Sequence, residues 1–247
     1  TGPFFAGHGP AAWPYLAEKK IVSVDNHCRD RSELQYDYMF DGLQCYIDMN
    51  YNHGKYAYEA MGIKTISTMG WDFDCAKDFI EGFVAGFTEA GGTVVQQQWT
   101  EMGAADYTPY LTAVKPADAL VTALCGGDTS VRALTQAQDL GVRQKMKNWF
   151  ICGTAELESP ELRDQLGDIG IGVSYAGPWS PLLDNPLNKQ FVEKFKAKFG
   201  LEPSCWDAMT YEVIQIMLAA LKATGGDTSP DKLKKALLEL KIDLPSG

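Results

Sequence analysis

Between residues 64 and 142 the apolar positions change rhythm repeatedly, from the period of a strand to the period of a helix and back. Residues 64–69 form a short extended run closed by Gly70. From 72 to 90, apolar residues fall at Ala76, Phe79, Ile80, Phe83 and Phe87, the stripe of an amphipathic helix. Gly91 and Gly92 end it, because a residue without Cβ enters the left-handed region at no steric cost. Residues 93–99 predict a second strand, 107–114 a short helix and 118–124 a third strand. Val131, Leu134, Ala137 and Gln138 then mark a helix that stops at Gly141. Strand–helix units in this order build a doubly wound parallel sheet, and such sheets bind ligands at the carboxyl ends of their strands.

The flanking sequence repeats the theme less completely. Residues 10–20 predict a helix and 21–24 a strand that runs into a polar loop at 25–30. Residues 46–61 are aromatic-rich and helical in pattern, ending at Gly62. Further strands are expected at 149–152 and 169–175, and the Pro-rich stretch 177–186 is a candidate domain crossover. Three helices follow. Leu187, Phe191, Phe195 and Phe199 line a face of the first, which Gly200 ends. Ser204 and Asp207 resemble a capping box ahead of the second, which carries Met209, Val213, Ile216, Met217 and Ala220. Ser229 and Pro230 suit the N-cap and first position of the third, with Leu233, Ala236, Leu237 and Leu240 as its buried stripe. Three helices with hardly any strand beyond Tyr175, and a single predicted strand near the N-terminus, lead to the expectation that sequence is missing at both ends.

Charge and cysteine content narrow the function classes. The 247 residues carry 22 Lys and Arg against 32 Asp and Glu, a net charge of −10 with no basic cluster, which argues against nucleic acid. There is no apolar run long enough to span a bilayer, no signal-peptide pattern and no initiator Met. The six cysteines, at 28, 45, 75, 125, 152 and 205, include no CxxC pair, so zinc-ribbon and thioredoxin readings are weak. Cys75, Cys125 and Cys152 each follow a predicted strand and should share one sheet edge, where small apolar packing is the expected role.

The search for chemistry is mostly negative. No phosphate-binding GxxxxGK[ST] loop and no GxGxxG turn is present. Gly172–Ala176 lacks the second glycine of a nucleophile elbow. His8, His27 and His53 are far apart and no HExxH occurs. No catalytic residue, metal or cofactor is expected, and the chain reads as a non-enzyme. A Cys-dependent enzyme using Cys75, Cys125 or Cys152 is the alternative of a different class, with a metal site from His27, Cys28 and the sheet-edge cysteines as its variant. The remaining polar features suit binding. Asp72, the turn Gly126-Gly127-Asp128 and the turn Gly153–Glu156 each follow a strand, where helix N-termini attract carboxylates. Glu156 reads either as a partner for a ligand ammonium or as a solvated loop carboxylate. Asp25 and His27 read as ligand contacts or a polar turn, and Trp206 as a buried helix residue or a cleft wall.

Several segments resemble a known family in their order and spacing. Gly2-Pro-Phe-Phe, a helix and the run 21–24 match a segment leading to a ligand loop. The stretch from Gly70 to Lys77 resembles G-x-D-Y-x-x-G-R, that from Phe87 to Val95 resembles L-x-x-x-G-G-x-V-V, and that from Asp106 to Leu111 resembles D-F-x-x-x-L. Asp118–Val121, Gly126–Asp128 and Gln136–Gly141 complete the pattern. Together they resemble type I periplasmic binding proteins serving ABC importers, in the branched-chain amino acid and amide group. The resemblance implies an α/β fold of two lobes, each a doubly wound, mostly parallel sheet flanked by helices, closing like a hinged trap. Residues 1–44 and 177–247 would be an incomplete first lobe and 45–176 the second. It implies an extracytoplasmic protein, in the periplasm or on the extracellular surface of a bacterium or archaeon. It would capture a small polar organic ligand (an amino acid, amide or related carboxylate) and deliver it to an ABC permease. Membrane association would come only through the transporter or a lost lipid anchor, and an oxidising compartment is expected. A ligand-sensing module of a receptor or regulator is the second reading of the same fold. Carried over residue by residue, the first-lobe ligand loop corresponds to Asp25, Asn26, His27 and Cys28. The second-lobe contacts correspond to Phe73 or Cys75, Cys125 and Gly126, and Glu156, and a first-lobe aromatic to Trp206. The loop at 25–29 is bulkier and more charged than in relatives, which disfavours a plain aliphatic amino acid.

Overall fold

The computed structural model describes residues 9–25, 36–41, 46–146, 148–153 and 160–247. In chain order the elements are α1 (Gly9–Glu18), β1 (Ser23–Asp25), β2 (Met39–Asp41), α2 (Tyr46–Glu59), β3 (Thr65–Trp71), α3 (Asp74–Glu89), β4 (Thr93–Thr100), α4 (Thr108–Ala113), β5 (Ala119–Ala123), α5 (Gly127–Asp139), α6 (Val142–Lys145), β6 (Asn148–Ile151), α7 (Pro160–Leu166), β7 (Val173–Tyr175), α8 (Pro186–Phe199), α9 (Cys205–Ala223) and α10 (Pro230–Glu239). They form two compact units, one of Tyr46–Gly177 and one assembled from Thr1–Cys45 and Pro178–Gly247.

The Tyr46–Gly177 unit is built on a five-stranded parallel sheet in the order β4-β3-β5-β6-β7. The central strands β3 and β5 are buried along almost their whole length, whereas edge strand β4 alternates between exposed and half-buried positions. This is the burial expected of a parallel sheet covered on both faces. On one face Met69, Leu120, Trp149 and Ile151 pack with Tyr107, Leu111, Leu134, Val142 and Leu166 from α4 to α7. The buried indole of Trp149 donates to Thr122 Oγ1 at 2.9 Å, so its polar handle is satisfied within the core. The other face carries α2 and α3. A Cβ on Gly86 would stand 1.9 Å from the Tyr51 carbonyl oxygen, and one on Gly54 2.1 Å from that of Phe83. The two helices therefore approach backbone to backbone, and only glycine fits there. The apolar stripe Ala76, Phe79, Ile80, Phe83 and Phe87 lies against the sheet, fully buried.

In the other unit, β1 and β2 form a two-stranded parallel sheet with Ser23 opposite Met39. Trp13, Val24, Met39, Trp179, Phe191, Ala208, Met209 and Val213 are among its buried apolar residues. Much of the order there is polar. Asn188 is fully buried and accepts from Trp179 Nε1 at 2.7 Å. Its amide donates to the carbonyls of Ser180, Pro181 and Leu183 at 3.1 to 3.3 Å. The capping box forms: Ser204 accepts from the Asp207 N–H and its own N–H donates to the Asp207 carboxylate. Buried Glu212 accepts from both the N–H and the hydroxyl of Ser246, at 2.6 and 2.9 Å. Between α8 and α9 runs a groove of about 620 Å³ floored by Phe191, Phe195 and Phe199.

Several elements differ from the sequence expectation. The run 169–175 does not form one strand: Gly167–Gly170 is a 3-10 turn and only Val173–Tyr175 is extended. Gly167 and Gly172 adopt φ of 48° and 81°, which interrupts an extended chain. The N-terminal part holds two strands rather than one, since Met39–Asp41 pairs with β1 without any long alternating pattern of its own. Short helices α6 and α7 were not expected. Ser229 is the N-cap residue of α10 with Pro230 at the first helical position, as expected, but its side chain makes no cap bond: its hydroxyl and N–H donate to Asp227 in an exposed local turn. The stripe Leu233, Ala236, Leu237 and Leu240 is half-buried, not buried.

Candidate functional site

The sheet order of the Tyr46–Gly177 unit defines a crevice. From β3 the chain crosses through α3 outward to β4, and from β5 it crosses through α5 in the opposite direction to β6. The carboxyl ends of β3 and β5 are neighbours, so the connections diverge there, at the topological switch point where open α/β sheets take ligands. The edge residues are Trp71 at the end of β3 with Asp72 and Phe73 after it, Leu124, Cys125 and Gly126 after β5, and Cys152 and Gly153 after β6.

Trp71 is the most firmly placed of these. The pattern Thr65, Ser67, Met69, Trp71 continues one face of β3, so the strand runs past Gly70 to Trp71. Gly70 is a strand residue because the Trp99 ring covers it; a Cβ there would come within 2.8 Å of that ring. The Trp71 indole donates to the Tyr107 hydroxyl at 2.9 Å. Tyr107 in turn donates its backbone N–H to Gln136 Oε1 at 2.7 Å and is itself fully buried. Burial pushes its phenol above the ordinary value, so it stays neutral and keeps a proton to donate. Phe73, half-buried, is the N-cap residue of α3 in extended geometry with no side-chain cap bond, and Cys75 sits half-buried on the first turn of that helix. Gly126, exposed, is the N-cap of α5 at φ 104°, again without a side-chain cap, and half-buried Cys125 precedes it. Both helices thus turn first-turn backbone N–H groups toward the carboxyl edge. Around them stand the exposed carboxylates Asp72, Asp74 and Asp128, with Lys77 paired to Asp72 at 2.5 Å. That carboxylate holds the Lys77 ammonium above its usual pKa.

The structure brings Phe73, Cys75, Cys125 and Gly126 to this one crevice. Asp25 and Trp206 belong to the other unit: Asp25 is buried at the end of β1, opposite Asp41, and Trp206 is half-buried on the first turn of α9, directly after the capping residue. Asn26, His27, Cys28 and Glu156 lie outside the described residues. Cys152 is fully buried and burial raises its thiol pKa well above normal, which fits packing and not nucleophilic chemistry. Among the described residues no group of three or more His, Cys, Asp or Glu could hold a metal ion. No helix among them is long and apolar enough to cross a membrane. Trp71 and Tyr107 were missed by the sequence reading. Their signal was the period-2 continuation through Gly70, masked by the habit of glycine to end strands.

Residues 1–247 match the family model described as Periplasmic binding protein. The chain is 25% identical over 190 residues to Leu/Ile/Val-binding protein homolog 6 of Brucella melitensis, covering 75% of this chain and 48% of that protein. It therefore spans about half the length of the curated relatives it matches. The leucine binding protein of Thermotoga maritima superposes with a TM-score of 0.87 at 22% identity, over 100% of this chain and 70% of the other. A solute binding protein of an ABC transporter from Rhodopseudomonas palustris BisB5, in complex with 3,4-dihydroxybenzoic acid, gives 0.82 at 24% identity, over 96% and 65%. The chain belongs to the periplasmic binding protein family, with the type I α/β fold of the branched-chain amino acid group.

Proposed function

We propose that this protein is an extracytoplasmic substrate-binding protein that captures a small polar organic acid for ABC-type import. Residues 1–44 with 177–247 and residues 45–176 serve as its two lobes. The reading rests on the crevice at the β3/β5 switch point in a chain whose whole length matches the family. The relatives bind leucine in one case and 3,4-dihydroxybenzoic acid in another, and these ligands share a carboxylate. First-turn N–H groups of α3 and α5 suit that group. Trp71 and Phe73 offer apolar surface beside it, and the Asp72, Asp74 and Asp128 carboxylates suit a ligand that also carries an amino group. No chemistry is done on the ligand. Capture and release follow from its greater affinity for the closed state, and an ABC permease receives it.

The test is a thermal-shift and calorimetric panel of amino acids, amides and aromatic acids. Ligand at a hundredfold excess over its Kd stabilises by about 2.7 kcal/mol. A shift confined to carboxylate-bearing ligands and lost in Gly126→Val supports the reading. A panel with no response, or a response indifferent to Gly126→Val, sinks it.

A further inference from the structure

One buried ionisable group lies away from the candidate crevice. His53 faces the sheet from α2 and is 6% exposed. Its Nε2 lies 3.1 Å from the Ser174 hydroxyl on β7. The rings of Phe83 from α3 and Phe150 from β6 meet it edge-on, each with centroids 5.2 Å away. Nδ1 is buried and has no hydrogen-bonding partner among the described residues. The groups facing the ring from α3, β6 and β7 are thus two phenyls and a hydroxyl. No carboxylate or ammonium is among the causes that shift its titration; desolvation alone lowers it, to about 4 from 6.5. A neutral imidazole fits this site and a cation does not.

The strand it holds is the shortest of the sheet. β7 is an edge strand of three residues, paired among the described residues only with β6 through Val173, Ser174 and Tyr175, and all three are half-buried. Ser174 stands three residues before Gly177, after which the chain leaves this unit. We propose that the His53–Ser174 contact is an acid-operated bolt: neutral His53 holds β7 and the start of the connection in register, and protonated His53 releases them while the rest of the sheet stays folded. A protein so built would loosen the exit of its sheet unit progressively as pH falls from 6.5 toward 4.

Hydrogen exchange, expressed as protection factors corrected for intrinsic rates, tests this on the intact chain at pH 7 and pH 4.5. Protection at residues 173–175 is expected to fall about tenfold or more, with β3 and β5 changing little. His53→Gln, which cannot become a cation, should flatten the pH response, and Ser174→Ala should lower β7 protection already at pH 7. An equal fall in β3 and β7 would mean global loosening and overturn the proposal, as would a fall that persists in His53→Gln. Should His53→Gln not fold, the histidine ring signals of the wild-type protein separate the same two outcomes. A His53 titration midpoint of 6 or above overturns the bolt, and any lower midpoint supports it if β7 protection falls across the pH range between 6.5 and that midpoint and overturns it if β7 protection does not.

Discussion

The unit spanning Tyr46–Gly177 and the unit assembled from Thr1–Cys45 and Pro178–Gly247 reach order by different means. The first buries a parallel sheet on both faces, and its large side chains (Phe79, Phe83, Phe87, Phe150 and Trp149) are almost wholly removed from water. The second has a two-stranded sheet among its described residues. Tyr211, Ile214, Leu218 and Phe199 on its helices stay substantially exposed. Its fixed points are hydrogen-bonded side chains: Asn188 under the 178–186 segment, the Ser204–Asp207 box at the head of α9, and Glu212 on Ser246. Apolar burial scales with area and tolerates small shifts, while a buried polar hub fails as a whole when one partner is lost. The contrast therefore predicts different sensitivities in the two units.

The largest effect should come from Phe150→Ala, which empties a fully buried site beside His53 and Phe83. A loss of about 3–5 kcal/mol is expected in denaturant unfolding. Hydrogen exchange should place that loss in the Tyr46–Gly177 unit; an equal loss in α8–α10 would break the comparison. Acid is the next lever. The unfolded chain protonates His53 near 6.5 and the folded chain not until about 4. That contribution to stability is complete above pH 6.5 and disappears as pH falls to 4, about 3 kcal/mol in all. Thermal melts of wild type and His53→Gln between pH 7 and 4 check it, and parallel pH curves would refute it.

In the other unit, Asn188→Ala leaves the Trp179 indole and the carbonyls of Ser180, Pro181 and Leu183 without their buried partner, at about 2 kcal/mol. Protection should fall in α8 and its preceding segment and not in β3 or β5. Ser204→Ala removes the cap of α9 and should cost about 1 kcal/mol in the same assay. The smallest effect concerns Glu212, whose carboxyl is held above its usual pKa by burial, against the opposing bonds from Ser246. A raised folded pKa means stability that is present in acid and lost as pH rises through the folded value, opposite in sign to His53. Glu212→Gln should flatten that decline, read as α9 protection between pH 4 and 8. A decline unchanged in the variant would remove Glu212 from the account.

How far the sequence could be read differs between elements and site. Long periodic segments were legible: the stripe of α3, the extended runs of β3 and β4, the glycine stops at 91, 141 and 200, and the capping box of α9. Each is a local signal carried by a handful of adjacent residues. The order of those elements, with the family motifs, was enough for an α/β fold of the periplasmic binding type. The carboxyl edge of the sheet is likewise legible in the sequence, because strand polarity fixes which residues follow a strand end. What lay beyond reach were pairings between segments far apart in the chain. The strand Met39–Asp41 exists because β1 lies beside it. Trp71 is held because Tyr107, 36 residues later, presents a hydroxyl to its indole. His53 finds its hydrogen-bonding partner in Ser174, 121 residues later, on β7. Periodicity reports which face of an element is apolar, and cannot report which distant polar atom completes a hydrogen bond. That choice is made only when the sheet order brings the two segments together.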